Sequence, residues 1–138
     1  MKLTPLTRGT ALCALALASL VPNALAQATS AAELLAAYAA QAKAPASAER
    51  GEAFFNRKFG RDFDNCAACH GAVPVKNGKD LVSEKVIAPL APAVTPTRFN
   101  DRSKVEYRFR INCKDVVGRE CTAAEKADLM SWLMSLKP

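Results

Sequence analysis

Histidine occurs once in this chain, as His70. A site built from two imidazoles of one polypeptide is thereby excluded, and so is a second histidine acting as acid or base opposite the first. Methionine is nearly as scarce: beyond Met1 there are only Met130 and Met134. No internal repeat is visible and Cys-x-x-Cys-His occurs a single time, which excludes a string of identical cofactor modules. Charge of one sign is also in short supply. The formal +6 falls to +4 once Lys2 and Arg8 are set aside with residues 1–26, so a solvated surface is the plain reading and a nucleic-acid-binding face is not expected.

A long hydrophobic run is missing too. The apolar stretch of residues 11–21 is cut off by Pro22 and Asn23, too short to span a bilayer, so direct membrane insertion is not expected. With Lys2 and Arg8 as its only charges and Ala24-Leu25-Ala26 as a small-x-small site, it reads as a secretory signal cleaved after Ala26. Cys13 inside it follows Leu12, where a lipid-attachment signal would carry a small residue. The expected organisation is therefore a signal peptide at 1–26 and one domain at 27–138, exported and soluble in the periplasm.

What the chain does have is Cys66-Ala67-Ala68-Cys69-His70. Two thiols three apart can add across the two vinyl groups of one porphyrin, and the adjacent imidazole is then held under the iron. The motif points to one covalent haem c, with Cys66 and Cys69 as thioether positions and His70 as proximal ligand. A thioredoxin-type redox pair and half of a zinc site are the competing readings. Counting weighs against zinc. With Cys66 and Cys69 assigned to haem, Cys113 and Cys121 remain as a natural disulfide worth ~2–3 kcal/mol, whereas a zinc site using one of them strands the other.

Pattern along the chain suggests about four helices around the haem, an all-α fold. Ser30-Ala31-Ala32-Glu33, Ser103-Lys104-Val105-Glu106 and Thr122-Ala123-Ala124-Glu125 have the form of capping boxes, and Ser47 caps a further helix over residues 48–58. There Gly51 and Phe55 stand one turn apart. Pro89, Pro92 and Pro96 make residues 86–99 an extended loop that wraps the cofactor, with Ile87 and Leu90 placed to cover porphyrin.

The sixth iron ligand decides function, since a strong one makes an electron carrier and a weak one leaves the iron open to small molecules. Met130 and Met134 sit on the closing helix beside Leu129, Trp132 and Leu133, where methionine is most simply core filling. Val105, Phe109 and Asn112 share a helix face, which sets a carboxamide on an apolar stripe. Asn112 either ends that helix, as asparagine tolerates the left-handed conformation, or stands at the iron.

The strings Ile87-Ala88-Pro89-Leu90-Ala91-Pro92, Thr95-Pro96-x-Arg98-Phe99, Arg110-x-Asn112-Cys113 and Gly118-Arg119-Glu120-Cys121-Thr122 together resemble the sphaeroides haem protein family. The resemblance implies an exported monohaem cytochrome c of class I fold, in which Asn112 is the distal ligand opposite His70 and the Cys113–Cys121 disulfide adjoins it. It further implies that the asparagine leaves ferrous iron, which then binds O2, NO or CO. A dihaem c-type cytochrome and a membrane b-type cytochrome are the implied redox partners. An amide oxygen is a hard donor better suited to ferric than ferrous iron, so reduction can itself open the site. The ordinary alternative is a shuttle cytochrome with Met130 or Met134 as sixth ligand and no gas binding. With no second histidine, the sequence reads as a ligand-binding and electron-transfer protein rather than an enzyme, with reduction of oxygen, peroxide or nitrogen oxides left open.

Overall fold

The computed structural model describes residues 28–138; residues 1–27, which hold the expected signal and its cleavage site, lie outside that range. The described chain forms five helices and one two-stranded ribbon. Helix α1 (Ala31–Ala42) opens on the expected capping box: the Ser30 hydroxyl accepts the Glu33 N–H at 3.2 Å, and the Glu33 carboxylate accepts the Ser30 N–H at 2.8 Å. Helix α2 (Ala48–Asn56) starts at Ser47 as expected but stops two residues early, because Arg57 is already extended. The one-turn helix α3 (Ala67–His70) is the haem motif itself.

Helix α4 (Arg102–Val116) begins one residue ahead of Ser103 and is capped by Asp101 instead. The Asp101 carboxylate accepts the Lys104 N–H at 3.0 Å, and an acid at a helix N-terminus also complements the macrodipole, which a serine hydroxyl does not. Helix α5 (Ala123–Ser135) opens on the expected box of Thr122 and Glu125.

Helices α2 and α5 meet backbone to backbone at Gly51. A Cβ there would collide with the Asp128 carbonyl and stand 2.9 Å from the Trp132 Cβ, so only glycine permits this approach. Beside it the rings of Phe55 and Trp132 pack at 4.9 Å between centroids. The Asp128 carboxylate, the one buried charge among the described residues, accepts from Arg50 Nε and Nη2 and from the Ser47 N–H, each at 2.7 Å.

Apolar side chains gather in two clusters. The first joins Phe54, Phe55, Leu129, Trp132 and Leu133 to Cys113 and Cys121, with Cys66, Ala67 and Leu90 packed against it. The second joins Leu34, Tyr38, Val105, Ala127 and Met130, and Phe99 and Phe109 pack against both. The proline-rich segment is extended only at its start, where β1 (Gly78–Lys79) pairs antiparallel with β2 (Val86–Ile87); further on it folds into turns, with the N–H groups of Val94 and Thr95 donating to the Ala91 carbonyl at 3.0 Å and that of Arg98 to the Thr95 carbonyl at 2.9 Å. Just past the ribbon, the N–H groups of Leu90 and Ala91 donate to the Pro74 carbonyl at 3.0 and 3.3 Å, folding the loop back toward the haem turn. No described helix is long and apolar enough to cross a membrane.

Candidate haem site

The turn that carries the motif is held from three sides. At its start, Asn65 Oδ1 accepts the Ala68 N–H at 2.8 Å while Asn65 Nδ2 donates to the Asn56 carbonyl at 3.2 Å, tying α3 to the end of α2. Within it, the His70 N–H donates to the Cys66 carbonyl at 3.2 Å. Below it lies β1: a Cβ at Gly78 would collide with the Cys69 carbonyl and stand 3.0 Å from His70 Cα, so the ribbon rests directly on this backbone. Asn65 was not singled out in the sequence, although an asparagine just ahead of a short helix is a recognisable capping signal.

Cys66 and Cys69 are unpaired and half-buried, whereas Cys113 and Cys121 are joined with their Cα atoms 5.6 Å apart. Burial pushes the Cys66 thiol up to about 11. Burial, and then the Arg98 guanidinium, push His70 down to about 4, so its imidazole is neutral, as an iron ligand must be. The His70 ring stands 6.1 Å from Phe55, on the edge of the first cluster. Arg98 is itself half-buried, and burial together with Arg108 holds its pKa below the usual value. Two free thiols, a neutral imidazole and an aromatic-lined apolar cluster are the donor set and surroundings that a covalent haem requires. Zinc is a poorer match: the disulfide has taken the later thiols, and no three His, Cys, Asp or Glu side chains converge as a metal site among the described residues.

Asn112 does not end its helix. Helix α4 continues to Val116, so the helix-end reading of this residue is overturned. Along the expected stripe Val105 is buried, Phe109 half-buried and Asn112 exposed. Its neighbour Cys113 packs in the cluster that also holds Cys66. The structure thus brings Cys66, Cys69 and His70 together in one turn and carries Asn112 on a separate helix that flanks the same cluster. Met130 is placed elsewhere, fully buried in the second cluster against Leu34 and Tyr38, which withdraws it from the methionine-ligand alternative; Met134 is half-buried near the end of α5.

A family model described as a domain of unknown function (DUF1924) matches residues 41–133. Over 119 residues the chain is 49% identical to the cytochrome c-type protein SHP of Cereibacter sphaeroides, a match covering 84% of this chain and 92% of that protein. The chain belongs to the SHP family. Cytochrome c'' of Methylophilus methylotrophus is 43% identical over 89 residues, covering 62% of this chain and 61% of that protein. Among solved structures, oxidized SHP, described as an oxygen-binding cytochrome c, superposes with a TM-score of 0.75 at 46% identity, covering 80% of this chain and all of that one. Oxidized cytochrome c'' gives 0.73 at 36% identity, covering 78% and 95%. The fold is accordingly that of the class I-like helical cytochromes, and the cofactor of this SHP-family chain is a single covalent haem c.

Proposed function

We propose that this monohaem cytochrome c is exported to the periplasm, accepts an electron from a redox-partner cytochrome, and takes up a small diatomic ligand such as O2, NO or CO on its ferrous haem in place of Asn112. In this reading Cys66 and Cys69 carry the thioether links, His70 is the proximal ligand and Asn112 the displaceable distal one. The donor is a dihaem c-type or membrane b-type cytochrome, and residues 1–26 are removed on export.

When bound, the haem supplies a one-electron iron couple and a coordination position open to exchange. The chain's residues set how that position is guarded. Cys66 and Cys69 fix the cofactor to α3, and Asn65 and Gly78 hold that turn in place. The neutral His70 imidazole would offer the iron a lone pair, and Asn112 would offer a hard amide oxygen that suits ferric better than ferrous iron. Helix α4 runs on beyond Asn112, and the bond from Cys113 to Cys121 braces the next residue, so departure is confined to side-chain rotation.

One observation carries the reading: with His70 the sole histidine and Met130 buried in the other cluster, Asn112 stands mid-helix beside a disulfide on the flank of the haem cluster. The SHP relative, described as an oxygen-binding cytochrome c, supports the ligand-binding half. Absorption spectra of the haem-loaded chain test it. A carbon monoxide adduct of the ferrous form is expected, and a low-spin ferrous form with no adduct overturns the proposal. Asn112→Val is expected to give high-spin ferric haem; an unchanged ferric spectrum removes Asn112 as ligand.

A further inference from the structure

The β1–β2 ribbon has two dissimilar faces. Register partners in an antiparallel pair point to the same side. Gly78 and Ile87, both half-buried, face inward, whereas Lys79 and Val86, both exposed, face outward. The inward side rests on the Cys69–His70 backbone through Gly78. The outward side and the turn beyond it carry Val82 at 76% exposure, Val86 at 71% and Leu81 at 54%, and Val73 at 51% lies on the segment leading in. These are four of the five large apolar side chains that stand exposed among the described residues, Tyr107 being the fifth. Exposed apolar groups scattered singly are ordinary; this concentration within residues 73–86 marks an interaction surface.

The charges around them favour an acidic partner. Both acids of the ribbon are occupied: Glu84 pairs with Lys79 at 3.3 Å, and Asp80 Oδ1 accepts the N–H groups of Val82 and Ser83 at 3.0 and 2.7 Å. Lys76 and Lys85 belong to no ion pair among the described residues.

We propose that the outer face of residues 73–86 is the docking surface for an electron-transfer protein that has an apolar centre rimmed by acidic groups. The proposal rests on the reading of this chain as a cytochrome reduced by a protein donor, and names where that donor sits. One electron leaves the donor's reduced centre, which is oxidised, and arrives at this chain's ferric haem, which becomes ferrous. A donor so seated is separated from Cys69 and His70 only by the thin ribbon that lies on them. It occupies a different element from Asn112, so the docking residues and the proposed ligand residue do not overlap.

The test uses the haem-loaded chain, reduced in a stopped-flow instrument either by an acidic dihaem c-type cytochrome or by dithionite. The double variant Val82→Asp, Val86→Asp is expected to slow reduction by the cytochrome about tenfold. Its dithionite rate and its spectrum should stay unchanged, and Tyr107→Asp should behave as wild type. A second variant, Lys76→Glu with Lys85→Glu, should slow the same reaction and flatten its salt dependence. Unchanged rates in both variants, or equal slowing by Tyr107→Asp, overturn the docking site. A shifted spectrum or lower haem content does so too, by placing Val82 and Val86 against the haem. Self-association, or binding to anionic phosphatidylglycerol vesicles, that the double variant abolishes while its cytochrome rate holds reassigns the face to a second copy or to lipid. If the wild type is reduced by dithionite but not by the cytochrome, the donor reading itself falls, and the docking site with it.

Discussion

Helix α5 supplies both apolar clusters, from neighbouring positions. Ala127 and Met130 turn toward Leu34 and Tyr38 of α1, while Leu129, Trp132 and Leu133 turn toward Phe54 and Phe55 of α2 and Cys66 of the haem turn. The α1 side is closed by its own side chains: Leu34 and Met130 are fully buried, and a polar edge seals it, with Tyr38 donating to Glu106 at 2.7 Å and Lys126 donating to Glu106 at 2.8 Å. The α2 side holds the Cys66 thiol, the disulfide and the edge of His70. The cofactor chemistry is thus kept to one side of the helix, and the α1 side packs without it. Phe109 alone on α4 packs against both clusters, three residues before Asn112.

The sharpest break in that arrangement is Gly51→Val. The new Cβ meets the Asp128 carbonyl, so α2 must leave α5, and a loss of ~3 kcal/mol or more is expected in urea unfolding of the haem-loaded chain. A cost below ~1 kcal/mol would show that the backbones are not in contact. Met130→Ala should cost ~3 kcal/mol and leave the ferric spectrum untouched, because the cavity opens only in the α1 cluster. A spectrum that changes with it would instead make Met130 an iron ligand. Replacing Cys113 and Cys121 together by serine should cost ~2–3 kcal/mol through the unfolded chain and quicken carbon monoxide uptake by loosening the helix that bears Asn112.

The smallest expected effect is in acid. Burial alone would raise Glu106, but its bonds from Lys126 and Tyr38 outweigh it and hold the carboxyl below its ordinary 4.5; Arg119 holds Glu125 below the same value. A carboxyl lowered on folding stabilises the fold above its unfolded value and loses that contribution as pH falls through the folded one. Stability should therefore decline below about pH 4.5, and Glu106→Gln should be less stable at neutral pH with a shallower acid decline. An identical acid profile in the variant would remove Glu106 from the account.

What was legible beforehand was local. The boxes at Ser30 and Thr122, the cap at Ser47 and the pairing of Cys113 with Cys121 depend on residues close in sequence, and each formed as read. At Ser103 a correct box pattern lost to a stronger cap two residues earlier, because Asp101 brings charge as well as a hydrogen bond. Strands of two residues carry no periodicity, so the ribbon was invisible; Gly78, which it needs for contact with Cys69, was its only trace. Asp128 reads as a polar residue on an apolar helix face, and its partner Arg50 lies 78 residues away. Asn112 was readable as a candidate from the stripe it shares with Val105 and Phe109 and from the shortage of histidine and methionine, whereas its exposure, next to a Cys113 that packs in the first cluster, depends on how α4 packs.

The eight-residue spacing of Cys113 and Cys121 also bears on how a newly made chain matures. The four thiols of residues 28–138, when reduced, can pair completely in three ways, and two of those bridge Cys66 and Cys69 to partners far downstream. Ring closure becomes less probable as the intervening chain lengthens, so the short downstream ring outpaces those long ones. Once it has closed, neither distant sulfur remains to capture Cys66 or Cys69 before haem reaches them. The brace on α4 is in this way also a guard on the attachment site.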